Sequence, residues 1–221
     1  MKSFEEWLKS QQVENPAPEE RAVWKGFYDE ACARAASGPT EDDLRLRFCD
    51  LATQYYVAGR SAAMAQLTPV YGNLVHHAVE MFPKTALVGV VSLEDTKSKY
   101  VHNIKKLWDR FKAEETDPAL DQFDAVISAV DAFEDLRYPD KIFDTAINVN
   151  LTWQAGDAVQ VLGTAASQTK KFEFFMSHVD DLVIEIMGRA GLNPKFFTGS
   201  LSPRGREALE YQNSHASAWL G

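Results

Sequence analysis

Between Val70 and Val88 the positions Tyr71, Leu74, Val75, Ala78, Met81, Phe82 and Thr85 recur at steps of three and four. Successive helical residues turn by about 100°, so these positions fall along one stripe of a helix. His76 then points away from the stripe and reads as a solvated residue. His77 falls on its flank, beside the polar line of Asn73, Glu80 and Lys84. Pro83 has no N–H to offer the carbonyl of Val79, which predicts a kink in this central helix.

The same period runs through most of the chain. A short helix over Ser3 to Gln12 gathers Phe4, Trp7 and Leu8, and Asn15, Pro16 and Pro18 break it. Pro18 with Glu19 and Glu20 opens a second helix to about Ala36, with Trp24, Phe27, Tyr28, Ala31 and Ala35 facing inward. Thr40 and Asp43 make a capping-box-like start for a third. Its seam is Leu44, Phe48, Leu51, Tyr55, Ala58, Ala62 and Ala65, and Gly59 within it lets another helix approach closely. Beyond the central helix, Ser92 to Lys112 predicts a fifth helix with Tyr100, Ile104, Leu107, Trp108 and Phe111 on one face. Asp117-Pro118 starts a sixth that ends at Tyr138-Pro139.

From Asp144 to Gly163 the period drops to two. Ile147, Val149, Leu151 and Trp153 alternate with polar residues, Ala155-Gly156-Asp157 reads as a turn, and Val159 and Val161 resume the alternation. That pattern predicts a β-hairpin. Helical spacing returns from Phe172 to Met187, and a last helix over Pro203 to Gln212 precedes a tail expected to fray. The expected fold is therefore all-α, an up-and-down helical bundle with a small β-hairpin insertion near 145–163. One helical domain is expected over 1–221. Within it lie an N-terminal helical extension at 1–40, a core at 41–143, the insertion at 144–170 and C-terminal helices at 171–221.

Composition narrows the function. With 221 residues and 45% hydrophobic content the chain can bury a core of its own. A net charge of −9 opposes indiscriminate binding to nucleic acid or to anionic membranes. A local basic face remains open, because Lys97, Lys99, Lys105, Lys106, Arg110 and Lys112 crowd the fifth helix. The only two cysteines, Cys32 and Cys49, read as thiols in a reducing compartment and are too few for a zinc site of their own. No apolar leader and no membrane-spanning run occurs, so a cytoplasmic location is expected.

Three segments, HHAVEMFPKTAL at 76–87, VHNIKKLWDRF at 101–111 and LRYPDKIF at 136–143, occur in an order and spacing that resembles the HEPN (higher eukaryotes and prokaryotes nucleotide-binding) domain family. The resemblance covers about residues 45–145. It implies a helical bundle, often dimeric, in a family of ribonucleases, nucleotide or RNA binders and accessory modules. The family's ribonuclease signature is an arginine followed by four to six residues and then a histidine. No arginine stands at those distances before His76, His77, His102, His178 or His215, and Arg137 has Ile142, Phe143 and Asp144 where its histidine would fall. The catalytic motif is absent, so no catalytic residue is assigned.

The resemblance thus implies a non-catalytic nucleotide- or RNA-binding or accessory module, with a homodimer or another protein as partner. The candidate ligand-binding residues are His77, Glu80, Lys84, His102, Arg137, Tyr138 and Asp140. A groove is expected between the histidine helix and the rigid corner Tyr138-Pro139-Asp140. Arg137 also suits the C-terminal dipole of its helix, and Asn103 suits an N-cap. His77 and Glu80 at i, i+3 offer two metal ligands, but the His-x-x-Glu pattern occurs once and no metal or other cofactor is expected. Two alternatives stay open: a divergent ribonuclease using Lys97 with His102 or Lys171 with His178, and an antitoxin- or defence-associated interaction module. Lysine lacks the guanidinium fork and does not replace arginine neutrally.

Overall fold

The computed structural model describes residues 2–67, 70–100, 102–137, 147–154 and 170–221. The chain divides into two compact units, Met1–Leu44 and Arg45–Gly221. In the first, α1 (Phe4–Ser10) starts with a reciprocal capping box. The Ser3 hydroxyl accepts from the Glu6 N–H at 3.3 Å, and Glu6 Oε2 accepts from the Ser3 N–H at 2.8 Å. Pro18 occupies the first turn of α2 (Pro18–Ser37), and Gly38, at φ +74°, follows its last residue. Phe4 and Trp7 meet Tyr28 with ring centroids 5.4 and 5.8 Å apart, and Trp7 meets Trp24 at 6.0 Å. The inward face expected of α2 is nevertheless not buried. No residue of α2 is fully covered, and Phe27 is 52% exposed. Two helices alone enclose too little volume to hide an aromatic stripe.

α3 (Glu41–Met64) leads into the second unit. Its buried residues are Cys49, Ala52, Thr53, Tyr56, Val57, Gly59, Arg60, Ala62 and Ala63; Ala62 of the expected seam is among them, whereas Leu51 is exposed. The buried face is offset from most of that seam because it includes Arg60, a charge that reads as surface. Arg60 is fully enclosed: its Nε donates to the Ala208 carbonyl at 2.7 Å, and its other nitrogens meet Asp180 and the Tyr211 carbonyl. The Tyr56 hydroxyl donates to the same Asp180 at 2.5 Å. At Gly59 an added Cβ would stand 2.9 Å from Val75 Cγ2, so α3 and the central helix do approach closely.

That central helix, α4 (Val70–Ala86), continues through Pro83. It packs against α6 (Ile104–Glu115), α7 (Asp124–Ala132), α8 (Met176–Arg189) and the 3₁₀ turn Phe133–Arg137. Neighbours cover most of its circumference, and only the side of Asn73, Leu74, His77 and Met81 stays half-buried. His76, Glu80 and Lys84 are buried together with the apolar stripe. The second unit is a helical bundle, and among the described residues no helix is long and apolar enough to cross a membrane.

The single fifth helix of the expectation is two: α5 (Leu93–Ser98), capped by Ser92, and α6, capped by Asn103. Between them His102 adopts φ +52°. The Asn103 side chain accepts from the Lys106 N–H at 2.9 Å and restarts the helix at Ile104. The sixth helix likewise opens and closes with 3₁₀ turns, Pro118–Phe123 and Phe133–Arg137, around α7.

The expected hairpin is corrected. β1 (Ile147–Thr152) pairs in parallel with β2 (Lys170–Phe175), Ile147 opposite Lys170 and Thr152 opposite Phe175. Residues 155–163, where the turn and return strand were expected, lie outside the described residues. A parallel pair needs a crossover of at least a dozen residues, which the sequence between the strands supplies. β2 escaped notice because Phe172, Phe175, Met176 and Val179 also satisfy helical spacing. The structure instead buries Phe172 and Phe174, two apart, against Phe133. Beyond α8, α9 (Pro203–Glu210) is followed by α10 (Ala216–Leu220). The tail expected to fray is docked, with Trp219 fully buried and stacked on Tyr56 at 5.4 Å.

Candidate functional site

Four of the seven candidate residues meet at one place in the second unit. His77, Glu80 and Lys84 lie at i, i+3 and i+7 on α4, hence on one side of the helix. His102 comes from the break before α6, where the left-handed backbone at that residue turns its N–H toward α4. Glu80 is the hub. Its Oε1 accepts from Lys84 Nζ at 2.5 Å and from the His102 backbone N–H at 3.4 Å. Its Oε2 faces His77 Nδ1 at 3.8 Å and His102 Nδ1 at 3.4 Å. By hydrogen bonding Oε2 has no partner, although Glu80 is only 1% exposed.

The electrostatics follow from these contacts. Burial raises the Glu80 carboxyl, but the His77 ring, the Lys84 ammonium and the His102 N–H together outweigh it and hold the group at about 2. Lys84, only 6% exposed, is committed to this ion pair, so it is not a free anion contact. The His77 side chain is 21% exposed and that of His102 42%, so the cluster opens to solvent on the histidine side.

His76 does not face water. Its Nδ1 lies 3.3 Å from the Val130 carbonyl and its Nε2 3.4 Å from Glu134 Oε2, and burial lowers its pKa. The outward reading follows from a helix that buries one stripe; here α7 and the Phe133–Arg137 turn cover the face opposite that stripe as well. Tyr55, read as part of the α3 seam, stands beside His77 instead, with ring centroids 5.1 Å apart. Of the remaining candidates, Arg137 ends a 3₁₀ turn of the backbone. Tyr138 and Asp140 lie outside the described residues, as does the expected corner with Pro139.

Lys97 and Lys99 before His102, and Lys105 and Lys106 after it, are exposed. Lys105 pairs with Asp131 at 3.4 Å. Fold and site together define a helical-bundle protein with a buried, histidine-flanked glutamate open to solvent on one side. Comparison of the chain with protein-family models, curated proteins and solved structures found no match.

Proposed function

We propose that this chain is a HEPN-like, non-catalytic module that binds a nucleotide or RNA beside the histidine helix. The observation that carries the reading is the meeting of the first two resembling segments. Glu80 of the first accepts the His102 N–H of the second, and Lys105 and Lys106, three and four residues after His102, are exposed. Four exposed lysines within five residues of His102, Lys97, Lys99, Lys105 and Lys106, are a local source of positive charge for phosphate in a protein of net charge −9. The absent arginine–histidine motif supports binding without cleavage. A homodimer belongs to the same proposal, supported by the exposed Leu46 and Leu51 on α3. So does a cytoplasmic location, which the unpaired Cys32 and Cys49 favour.

Fluorescence anisotropy with a labelled single-stranded RNA and with adenine and guanine nucleotides tests it. Binding is expected at low salt and to weaken as salt rises. A Lys105→Ala/Lys106→Ala double variant should weaken RNA binding and lower the log–log salt slope by about 1 per lost phosphate contact. The RNA should stay intact. Absence of binding at low salt would remove the nucleic-acid reading, and cleavage by purified protein would return the ribonuclease alternative.

A further inference from the structure

We propose that His77, Glu80 and His102 bind a divalent transition-metal ion of the zinc class. One ligand atom from each residue lies within 4.8 Å of the other two. The strongest pointer is Glu80 Oε2, which is buried and meets no hydrogen-bond donor. A buried carboxylate oxygen is costly unless a donor or a cation meets it. The two Nδ1 atoms stand 3.8 and 3.4 Å from it, outside the roughly 2.7–3.2 Å of an N–H···O bond. A tetrahedral zinc with bonds of about 2.0–2.1 Å keeps its ligand atoms ~3.3 Å apart. The gaps are therefore those an ion spans, not those a hydrogen bond closes.

The surroundings suit this assignment. Oε1 is held by Lys84 and by the His102 N–H, which fixes the carboxylate and leaves Oε2 as the free ligand atom. Two imidazoles and one carboxylate make a three-ligand set whose fourth position is left to solvent or substrate. The exposed edge of His102 provides access to that position. His76 is not a fourth ligand, because both its ring nitrogens are turned to Val130 and Glu134. The Lys84 ammonium adds positive charge beside the ion, so the open position favours an anionic oxygen ligand.

The test uses the full chain, stripped by chelator and dialysed, with Zn²⁺ alone as the calorimetric titrant and Co²⁺ as a coloured substitute. We expect saturable binding of one ion per chain, cobalt absorption of four-coordinate intensity and a rise in Tm with added Zn²⁺. His102→Ala should weaken Zn²⁺ binding at least about tenfold, as should His77→Ala. His215→Ala, which removes a histidine paired with Asp181, should leave binding unchanged. Circular dichroism establishes that each variant is folded. No one-to-one binding by the wild-type chain, or binding that survives both ligand substitutions unaltered, overturns the proposal. With metal ions as the only probes, this outcome is independent of whether RNA binds.

Discussion

Cys49 and Glu80 are both buried, yet their surroundings act in opposite directions. Around Cys49 desolvation dominates and pushes the thiol up to about 12 from an ordinary value near 9. In the unfolded chain that thiol ionises once the pH passes about 9, whereas in the folded chain it stays protonated to about 12. The unfolded state then holds fewer protons, so this residue's share of stability is present below pH 9 and lost as pH rises through the folded value. At about pH 8 Cys49 should resist a maleimide that labels the partly exposed Cys32, and should react only in denaturant. Mass spectrometry of the labelled protein checks this, and prompt double labelling of the native chain would contradict it. Glu80 shows what sequence spacing can reach. The i, i+3 and i+7 steps suffice to group it with His77 and Lys84. The metal-binding set did not emerge, because its third ligand stands 22 residues from Glu80 and meets it only through the break before α6. His76 and Arg60 were beyond reach for a different reason: a polar side chain reads as exposed until the element covering it is known.

Among the elements, α4 depends most on the absence of side-chain atoms. A Cβ at Gly72 would overlap the ring of Phe133, which is itself fully buried and cannot swing aside. Gly72→Ala gains up to about 1 kcal/mol of helix propensity, while overpacking a closed core costs typically about 1–3 kcal/mol. The expected result is a net loss on the order of 1 kcal/mol in urea unfolding; a stabilised variant would mean that the contact is looser than described. An apolar period of three to four located α4, α6, α7 and α8, because each buries a regular stripe, and a period of two located β1. Boundaries set by other forces were less visible. Asn103 divides a continuous helical pattern by capping, and β2 hides where strand and helix share the same apolar positions.

For the whole molecule, one buried charge ties distant elements of the second unit together. Arg60 joins α3 to Asp180 on α8 and to the carbonyls of Ala208 and Tyr211. Arg60→Ala would leave Asp180 enclosed without its cation, a loss of about 3–5 kcal/mol for this class of pair. A double variant, Arg60→Met with Asp180→Leu, should recover much of that loss, because replacing both charges removes the uncompensated one. Chemical denaturation of the three proteins measures the difference, and equal stability of Arg60→Ala and the wild type would dissociate this network from the fold. The sequence sets an N-terminal extension at 1–40, bounded by the start of α3, whereas the compact units divide before Arg45, inside α3, where an unbroken helical pattern carries no mark. The same arginine also imposes a timetable. The carbonyl of Tyr211 lies 151 residues downstream of it, which at about 5–20 residues per second is roughly 8–30 s of synthesis. Until that interval has passed, the growing chain carries a cation whose full set of acceptors does not yet exist, so α3 must wait, still hydrated, for the segments around Asp180, Ala208 and Tyr211 to be made.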